Sequence, residues 1–381
     1  MDEPSRNGGE GKGAPPTGPA VGSAPPDRTG GSLTEGPICP SPARDDGRVQ
    51  LGHGSGGKMS ARLLRERFLP LFRNEFLDPL GDSAILAMDG GGEIAVSTDT
   101  FVVSPLEFPG GDIGALAVHG TVNDLAMAGA RPLYLAAGFI LEEGLPLEVL
   151  DRVVATMSRC AREAGVLLVT GDTKVVERGK GDGLFVNTTG IGVMDGSFRP
   201  EPRGARAGDA VLVSGPVGRH GMAIMAVREG ISFDAAIESD TANLSPLVEA
   251  LRTRVGDGVH VLRDPTRGGV ASAVNEIARA SGVGVRLFEE AIPVPPMVSG
   301  ACEMLGLDPL YVANEGILVA FVDGDRAEEA LATLREHPLG EGAAMIGRVV
   351  PEHPELVVLE TGLGGTRVVD TLPGDQLPRI C

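Results

Sequence analysis

The chain is short of positive charge, of cysteine and of long apolar runs, and each shortage closes off a class of function. It carries 33 Lys and Arg against 52 Asp and Glu, for a net charge of −19. A surface that acidic repels phosphate backbones and anionic headgroups, so neither nucleic acid nor membrane is expected as a partner. No apolar run approaches the ~18 residues of a membrane helix. The polar N-terminus lacks the apolar segment of a secretory signal, so a cytoplasmic location is expected. The four cysteines, Cys39, Cys160, Cys302 and Cys381, are far apart and form no CxxC pair. That spacing makes neither a disulfide framework nor a zinc site, and reduced thiols are the expectation. Lysine is scarcest of all: Lys12, Lys58, Lys174 and Lys180 stand against 29 Arg.

What is present suits a two-domain α/β protein. The length of 381 residues allows two domains at roughly 100–200 residues each, and an apolar fraction of 42% supplies their cores. Residues 1–48 hold 10 Gly and 9 Pro with few apolar residues, the composition of a disordered extension. Apolar spacing predicts a helix over 60–72. Short apolar runs at 84–88 and 94–98 flank Asp89-Gly90-Gly91-Gly92, a hairpin signal. Helices are predicted over 112–128 and 147–164, and strands over 133–141, 166–169 (short and buried) and 184–194. The Gly/Pro/Arg-rich stretch 196–208 reads as a boundary. Beyond it, helices are predicted over 221–229, 245–255 and 268–281, and strands over 210–214, 284–288, 317–321, 345–349 and 356–360. The expected organisation is an extension (1–48), two mixed α/β domains of α+β character (49–200 and 201–355), and a last strand with a mobile tail (356–381).

Five groups of residues carry candidate chemistry. Gly52-His53-Gly54-Ser55-Gly56-Gly57-Lys58 precedes a helix, where backbone N–H groups can approach an anion closely. It is not a Walker A loop, because Met59 stands where Ser or Thr belongs. Asp82, Asp99, Asp172 and Asp264 lie near element ends, where α/β sheets bind ligands, and Asp124 lies in the apolar helix 112–128. A carboxylate among Val122, Leu125, Ala126 and Met127 costs stability unless it is paired or metal-bound. Asp99 and Asp172 can also be read as turn formers and Asp264 as a helix cap. Lys174, in Gly171-Asp172-Thr173-Lys174, can lose its proton when desolvated, as Arg cannot; a plain surface lysine is the other reading. Glu315, in Asn314-Glu315-Gly316, is either a general base tuned by burial or a loop carboxylate. Cys381 ends the sequence in Leu377-Pro378-Arg379-Ile380-Cys381. The adjacent α-carboxylate raises its pKa, so its reactivity has to come from the site it enters.

Taken together, Gly52 to Met59, Ser97 to Thr100, Asn123-Asp124, Thr170 to Val176, Asp264 to Gly269, Asn314 to Gly316 and the Pro378-Arg379-Ile380-Cys381 ending resemble the HypE-type hydrogenase maturation factors. The likeness runs from about Val49 to Cys381. The Gly-rich start and the aspartates are shared with the wider superfamily of aminoimidazole ribonucleotide synthetase, selenophosphate synthetase and thiamine-monophosphate kinase; the ending is not. The resemblance implies a homodimer joined through the N-terminal sheets, with ATP near that junction. Asp82, Asp99, Asp124 and Asp172 would hold Mg²⁺ with ATP, the loop from His53 to Lys58 would close over the phosphates, and Asn123 and Asp264 would belong to the same nucleotide site. Cys381 would be loaded by a carbamoyltransferase, Lys174 and Glu315 would handle the amide proton, and an iron-bearing maturation complex would receive cyanide. Two other readings remain: another ATP-dependent enzyme of the superfamily, with no use for Cys381, or a passive thiol carrier without ATP chemistry.

Overall fold

This computed structural model describes residues 48–381 except 55, 195, 197, 232–235, 373, 375, 376 and 378. Ser55, Pro373, Pro378, Cys39 and the expected extension 1–48, apart from Arg48, therefore lie outside the described residues. The chain enters through helical turns α1 (Lys58–Leu63) and α2 (Leu69–Phe72), joined by a π-type stretch, Leu64–Phe68. Strands β1 (Ala84–Ala87) and β2 (Glu93–Phe101) then form the expected hairpin, with Ala87 opposite Glu93. A small ladder of β3 (Glu107–Phe108) and β4 (Gly111–Asp112) leads into α3 (Ile113–Met127), followed by β5 (Ala130–Glu142), α4 (Leu147–Glu163), β6 (Leu167–Val176) and β7 (Leu184–Met194). These build a five-stranded sheet in the order β1-β2-β7-β5-β6, antiparallel except where β5 meets β6.

The second half runs β8 (Ala210–Val213), α5 (Arg219–Glu229), α6 (Ser245–Arg254), β9 (Val259–Arg263), α7 (Gly269–Ser281), β10 (Gly284–Phe288), α8 (Pro296–Leu305), β11 (Val319–Val322), α9 (Ala327–Arg335), β12 (Ala344–Val350), β13 (Val357–Glu360) and β14 (Thr366–Val368). Its sheet has the order β14-β13-β10-β12-β8-β11-β9. The strand expected at the start of the tail is thus β13, paired parallel with β10 inside this sheet.

Helix α3 sits at the junction of the two halves. Asp112 caps it, accepting the Ala115 N–H at 2.9 Å. Fourteen of its 15 residues are buried, and the exception is Asp124. A helix apolar on nearly every side belongs between layers, and α3 packs against β2 and β7 on one side and α6 and β9 on the other. Asn123 ties the halves together: its amide donates to Ala242 O at 3.0 Å and its carbonyl accepts the Leu244 N–H at 2.8 Å.

The expected short buried strand at 166–169 is instead β6, ten residues long and exposed along nearly its whole length. The strand runs on past Val169, its expected end, through Gly171 opposite Ala137, where a Cβ would fall 2.4 Å from the Ala137 carbonyl oxygen. Pairing slips at Val169, a bulge that bends the strand. Among the described residues no helix is long and apolar enough to cross a membrane.

Candidate active site

Alternation along β2 turns Ala95, Ser97 and Phe101 inward toward α3, with Asp99 on the same face and Thr98 and Thr100 on the other. Ser97 Oγ donates to Asp124 Oδ2 at 2.6 Å, which fixes that carboxylate at the sheet–helix seam. Asp82, just before β1, and Asp264, just after β9, reach the same place. Asp82, Asp124 and Asp264 each present an oxygen within 4.8 Å of the other two. Arg263 lies against the cluster, its Nη1 2.6 Å from Asp82 Oδ1 and its Nη2 2.8 Å from Glu276 Oε2. Asp99 adjoins it, 3.9 Å from the Arg267 guanidinium, and accepts the Thr100 N–H at 2.7 Å.

Two arginines do not neutralise so many carboxylates. Burial, and then the charges of Asp264, Asp82 and Asp99, push Asp124 well above the usual carboxylate range. Burial and Asp82 push Asp264 up to about 7. Burial also raises Asp99, against the pull of Arg267, and Asp82, against that of Arg263. A divalent cation that prefers oxygen ligands relieves this kind of repulsion, and Mg²⁺ needs only one or two carboxylates besides phosphate and water. The donor set therefore fits such an ion.

The Gly-rich loop lies beside this cluster. Arg267 Nη1 donates to Gly54 O at 3.1 Å, and a Cβ on Gly56 would meet Arg267 at 3.1 Å. His53 Nδ1 accepts the Gln50 N–H, and Ser60 Oγ bridges the Gly56 N–H and His53 O, both at 2.9 Å. Gly57 precedes α1. Lys58 ties the loop to the tail: its Nζ lies 2.5 Å from Asp370 Oδ2 and its N–H donates to Leu372 O at 2.9 Å. A cavity of about 230 Å³ opens between the loop, the turn at Arg267–Gly268 and the tail, and Cys381 lines it.

Glu315 lies at the inner end of the tail. It is buried, its Oε1 has no partner among the described residues, and its carboxyl faces the Cys381 thiol. Burial raises it well above the usual range, and Asp264, Asp240 and Asp99 add to the shift. Burial and the Glu315 charge likewise push the Cys381 thiol far up, while Arg267 pulls it down. The loop holding Glu315 is tightly fixed. Asn314 accepts the Gly218 N–H at 2.6 Å and donates to Pro265 O and Val312 O, both at 3.1 Å. Asp240 Oδ1 accepts the Glu315 N–H at 3.1 Å, and a Cβ on Gly316 would fall 1.6 Å from Asp240 O, so only glycine fits there.

One chain thus brings together Cys381, Glu315, Asp82, Asp99, Asp124, Asp264 and the loop from His53 to Lys58. Asp172 and Lys174 stand apart, paired with each other on exposed β6, and the Asn123 amide is engaged by 242–244. The sequence reading passed over Arg263, Arg267, His220 and Asp240. The arginines flank Asp264 in Arg263-Asp264-Pro265-Thr266-Arg267. Asp240 sits in an unpatterned loop and His220 in a plain helix start, and neither left a signal.

The fold and site define a class. Residues 80–194 match the N-terminal domain of AIR synthase related proteins, and residues 206–359 match their C-terminal domain. A carbamoyl dehydratase HypE of Cupriavidus necator is 57% identical over 335 residues, covering 88% of this chain and 95% of its own. A solved HypE in complex with ATP is 52% identical, with a TM-score of 0.73 over 88% of this chain and all of that one. The HypE of a HypE–HypF complex is 48% identical, with a TM-score of 0.77 over 81% of this chain and 99% of its own. The chain belongs to the HypE family of carbamoyl dehydratases.

Proposed function

We propose that the chain uses ATP to dehydrate a carboxamide carried on its own Cys381, leaving a thiocyanate that supplies the cyanide ligands of [NiFe] hydrogenase iron. The observation that carries this reading is the Cys381 thiol lying on the buried Glu315 carboxyl, beside a cluster of carboxylates suited to a cation. An ATP-bound relative supports the nucleotide. Asp82, Asp99, Asp124 and Asp264 are the residues to hold Mg²⁺, and the loop from His53 to Lys58 adjoins them to meet the phosphates.

An amide oxygen is a poor leaving group, and bound ATP supplies the phosphoryl group that makes it a good one. In sum the C–O bond breaks, the nitrogen gives up both hydrogens to form C≡N, and the oxygen departs on phosphate beside ADP. Glu315 takes one N–H proton, a task suited to a carboxyl whose proton affinity burial has raised, and the other leaves with the phosphate. Water has to be kept from the activated amide, and Cys381 is half-buried in the cavity it lines.

Asp172 and Lys174 join this reading through a second copy of the chain. The outer face and edge of the first sheet expose Leu167, Val169, Val175, Tyr134, Ile140 and Ile191. Contiguous apolar exposure of this kind marks an interface, and a homodimer burying it carries Asp172 and Lys174 to the junction. The solved HypE–HypF complex supports a HypF-type partner; in this reading a carbamoyltransferase loads Cys381 and an iron-bearing complex receives the cyanide.

The test is intact and fragment mass after loading Cys381 and adding Mg²⁺ and ATP. Loss of one water from the carboxamide on Cys381, only with hydrolysable ATP, is the expected result. An unchanged carboxamide refutes the reading.

A further inference from the structure

The last three residues dock as a short antiparallel strand against the segment after β2. The Val102 N–H donates to Cys381 O at 3.1 Å, the Ser104 N–H donates to Arg379 O at 3.2 Å, and Val103 bridges Ile380. In such a pairing the carbonyl of the middle residue points away from the neighbouring strand. Ile380 O points to His220, whose Nε2 lies 2.6 Å away. A carbonyl only accepts, so Nε2 carries the hydrogen. His220 Nδ1 then accepts from Ser239 Oγ at 2.8 Å, while Ser239 Oγ accepts the Thr241 N–H at 3.1 Å. The ring is wholly buried, edge-on to Phe108 at 5.6 Å. Two turns along the same helix, Arg228 donates to Arg379 O and Ser104 O. Each of the last three carbonyls therefore meets a donor from the body of the protein.

We infer that His220 is a positioning residue for the Cys381 chemistry: its Nε2–H takes the Ile380 carbonyl and so sets the depth and register at which the thiol meets Glu315. The inference rests on the functional reading above. The physical argument is register. A one-residue slip moves a strand by about 3.3 Å and turns each side chain to the opposite face. Here a slip would put an isoleucine where the thiol belongs. Main-chain pairing with Val102 and Ser104 leaves the middle carbonyl unused, and so does not hold register alone. His220 supplies the contact on the other side, and the buried Ile380 side chain acts with it.

The test compares His220→Leu, which fills space without a donor, with His220→Gln, whose amide N–H reaches toward the Nε2 position. Two readouts are taken on the full chain. One is the rate at which iodoacetamide alkylates Cys381 in nucleotide-free protein, mapped by fragment mass. The other is single-turnover loss of water after chemical S-carbamoylation with cyanate and addition of saturating Mg²⁺ and ATP. A hydrogen bond of ordinary strength predicts that His220→Leu alkylates about tenfold faster and dehydrates about tenfold slower, with ATP half-saturation unchanged and His220→Gln near wild type in both. In chains ending at Pro378, the melting difference between His220→Leu and its parent should shrink to the share owed to the Ser239 hydrogen bond. Equal alkylation rates in wild type and His220→Leu overturn the inference, as does a melting defect that is undiminished without residues 379–381. Wild-type protein that shields Cys381 yet never loses water refutes the functional reading instead.

Discussion

Asp124 and Asp172 are both aspartates beside the first sheet, and the fold treats them oppositely. Asp124 is the one residue of α3 that is not fully buried, set against Ser97 and close to Asp82 and Asp264. Its pKa is driven up by burial and by like charge. Asp172 stands in the open on β6, and its pKa is driven down by the hydrogen bonds of Lys174 and the Thr173 N–H. The first carboxylate lacks enough positive charge within its own chain; the second already has its cation. The difference teaches that an acidic residue at an element end does not by itself announce a metal ligand. The cluster around Asp124 calls for an added cation. The Asp172–Lys174 pair calls for a surface to cover it.

Glu315→Gln gives the largest effect expected on the buried side. Removing a general base lowers the rate by about 10³-fold, and the carboxamide on Cys381 should persist in the mass spectrum while ATP still binds. A variant that still loses water at the wild-type rate would transfer the base to another residue.

The exposed side is sharpened by mixing copies. Lys174→Ala and Glu315→Gln should each be poorly active alone. If Lys174 serves the site of a second copy, a mixture of the two variants forms heterodimers with one intact site, and roughly a quarter of wild-type activity returns. No recovery on mixing, with exchange verified by mass, would place Lys174 in its own chain's site or outside the chemistry. Lys174→Ala should leave the melting temperature almost unchanged, because an exposed pair contributes little.

Asp264→Asn breaks the comparison from the stability side. Burial and Asp82 hold this carboxyl at about pH 7. Removing its charge should stabilise metal-free protein at pH 8 by about 1–2 kcal/mol in urea titration, and Mg²⁺ should then stabilise the variant less than wild type. Asp172→Asn should show neither effect. A destabilised metal-free Asp264→Asn would mean that the cluster is a satisfied network.

The buried side was the more legible in the sequence. Asp124 stood out because an apolar helix gives a carboxylate no reason to be there, and Asp82 and Asp99 because they flank strands. Glu315 and Cys381 were each ambiguous as isolated residues and were linked by family likeness before the fold placed them together. Asp240 and His220 were not legible, since a loop carboxylate and a helix-start histidine become site residues only through partners far along the chain. The place of Lys174 was hidden for another reason. The strand was expected to end at Val169, whereas it continues through Gly171, where the close approach of Ala137 admits only glycine.

The smallest effect expected is in the acid limb of stability. Burial pushes His220 and His119 each down to about 4, from an ordinary value of 6.5. A histidine kept neutral in the fold binds fewer protons folded than unfolded, so each one costs stability as pH falls below 6.5, until the folded ring protonates near 4. Within that window each contributes a slope of up to about 1.4 kcal/mol per pH unit. Asp264 works the other way from about pH 7 downward, because its raised pKa means that the folded form takes up the proton first. Urea midpoints of wild type and His220→Gln between pH 6.5 and 4 separate the two: the variant should lose stability less steeply by about one histidine's share. Asp172→Asn should follow the wild-type curve through the same window, since its exposed charge is screened by solvent. Parallel curves for wild type and His220→Gln would mean that His220 titrates normally, and that the protein around it opens before the acid limb is reached.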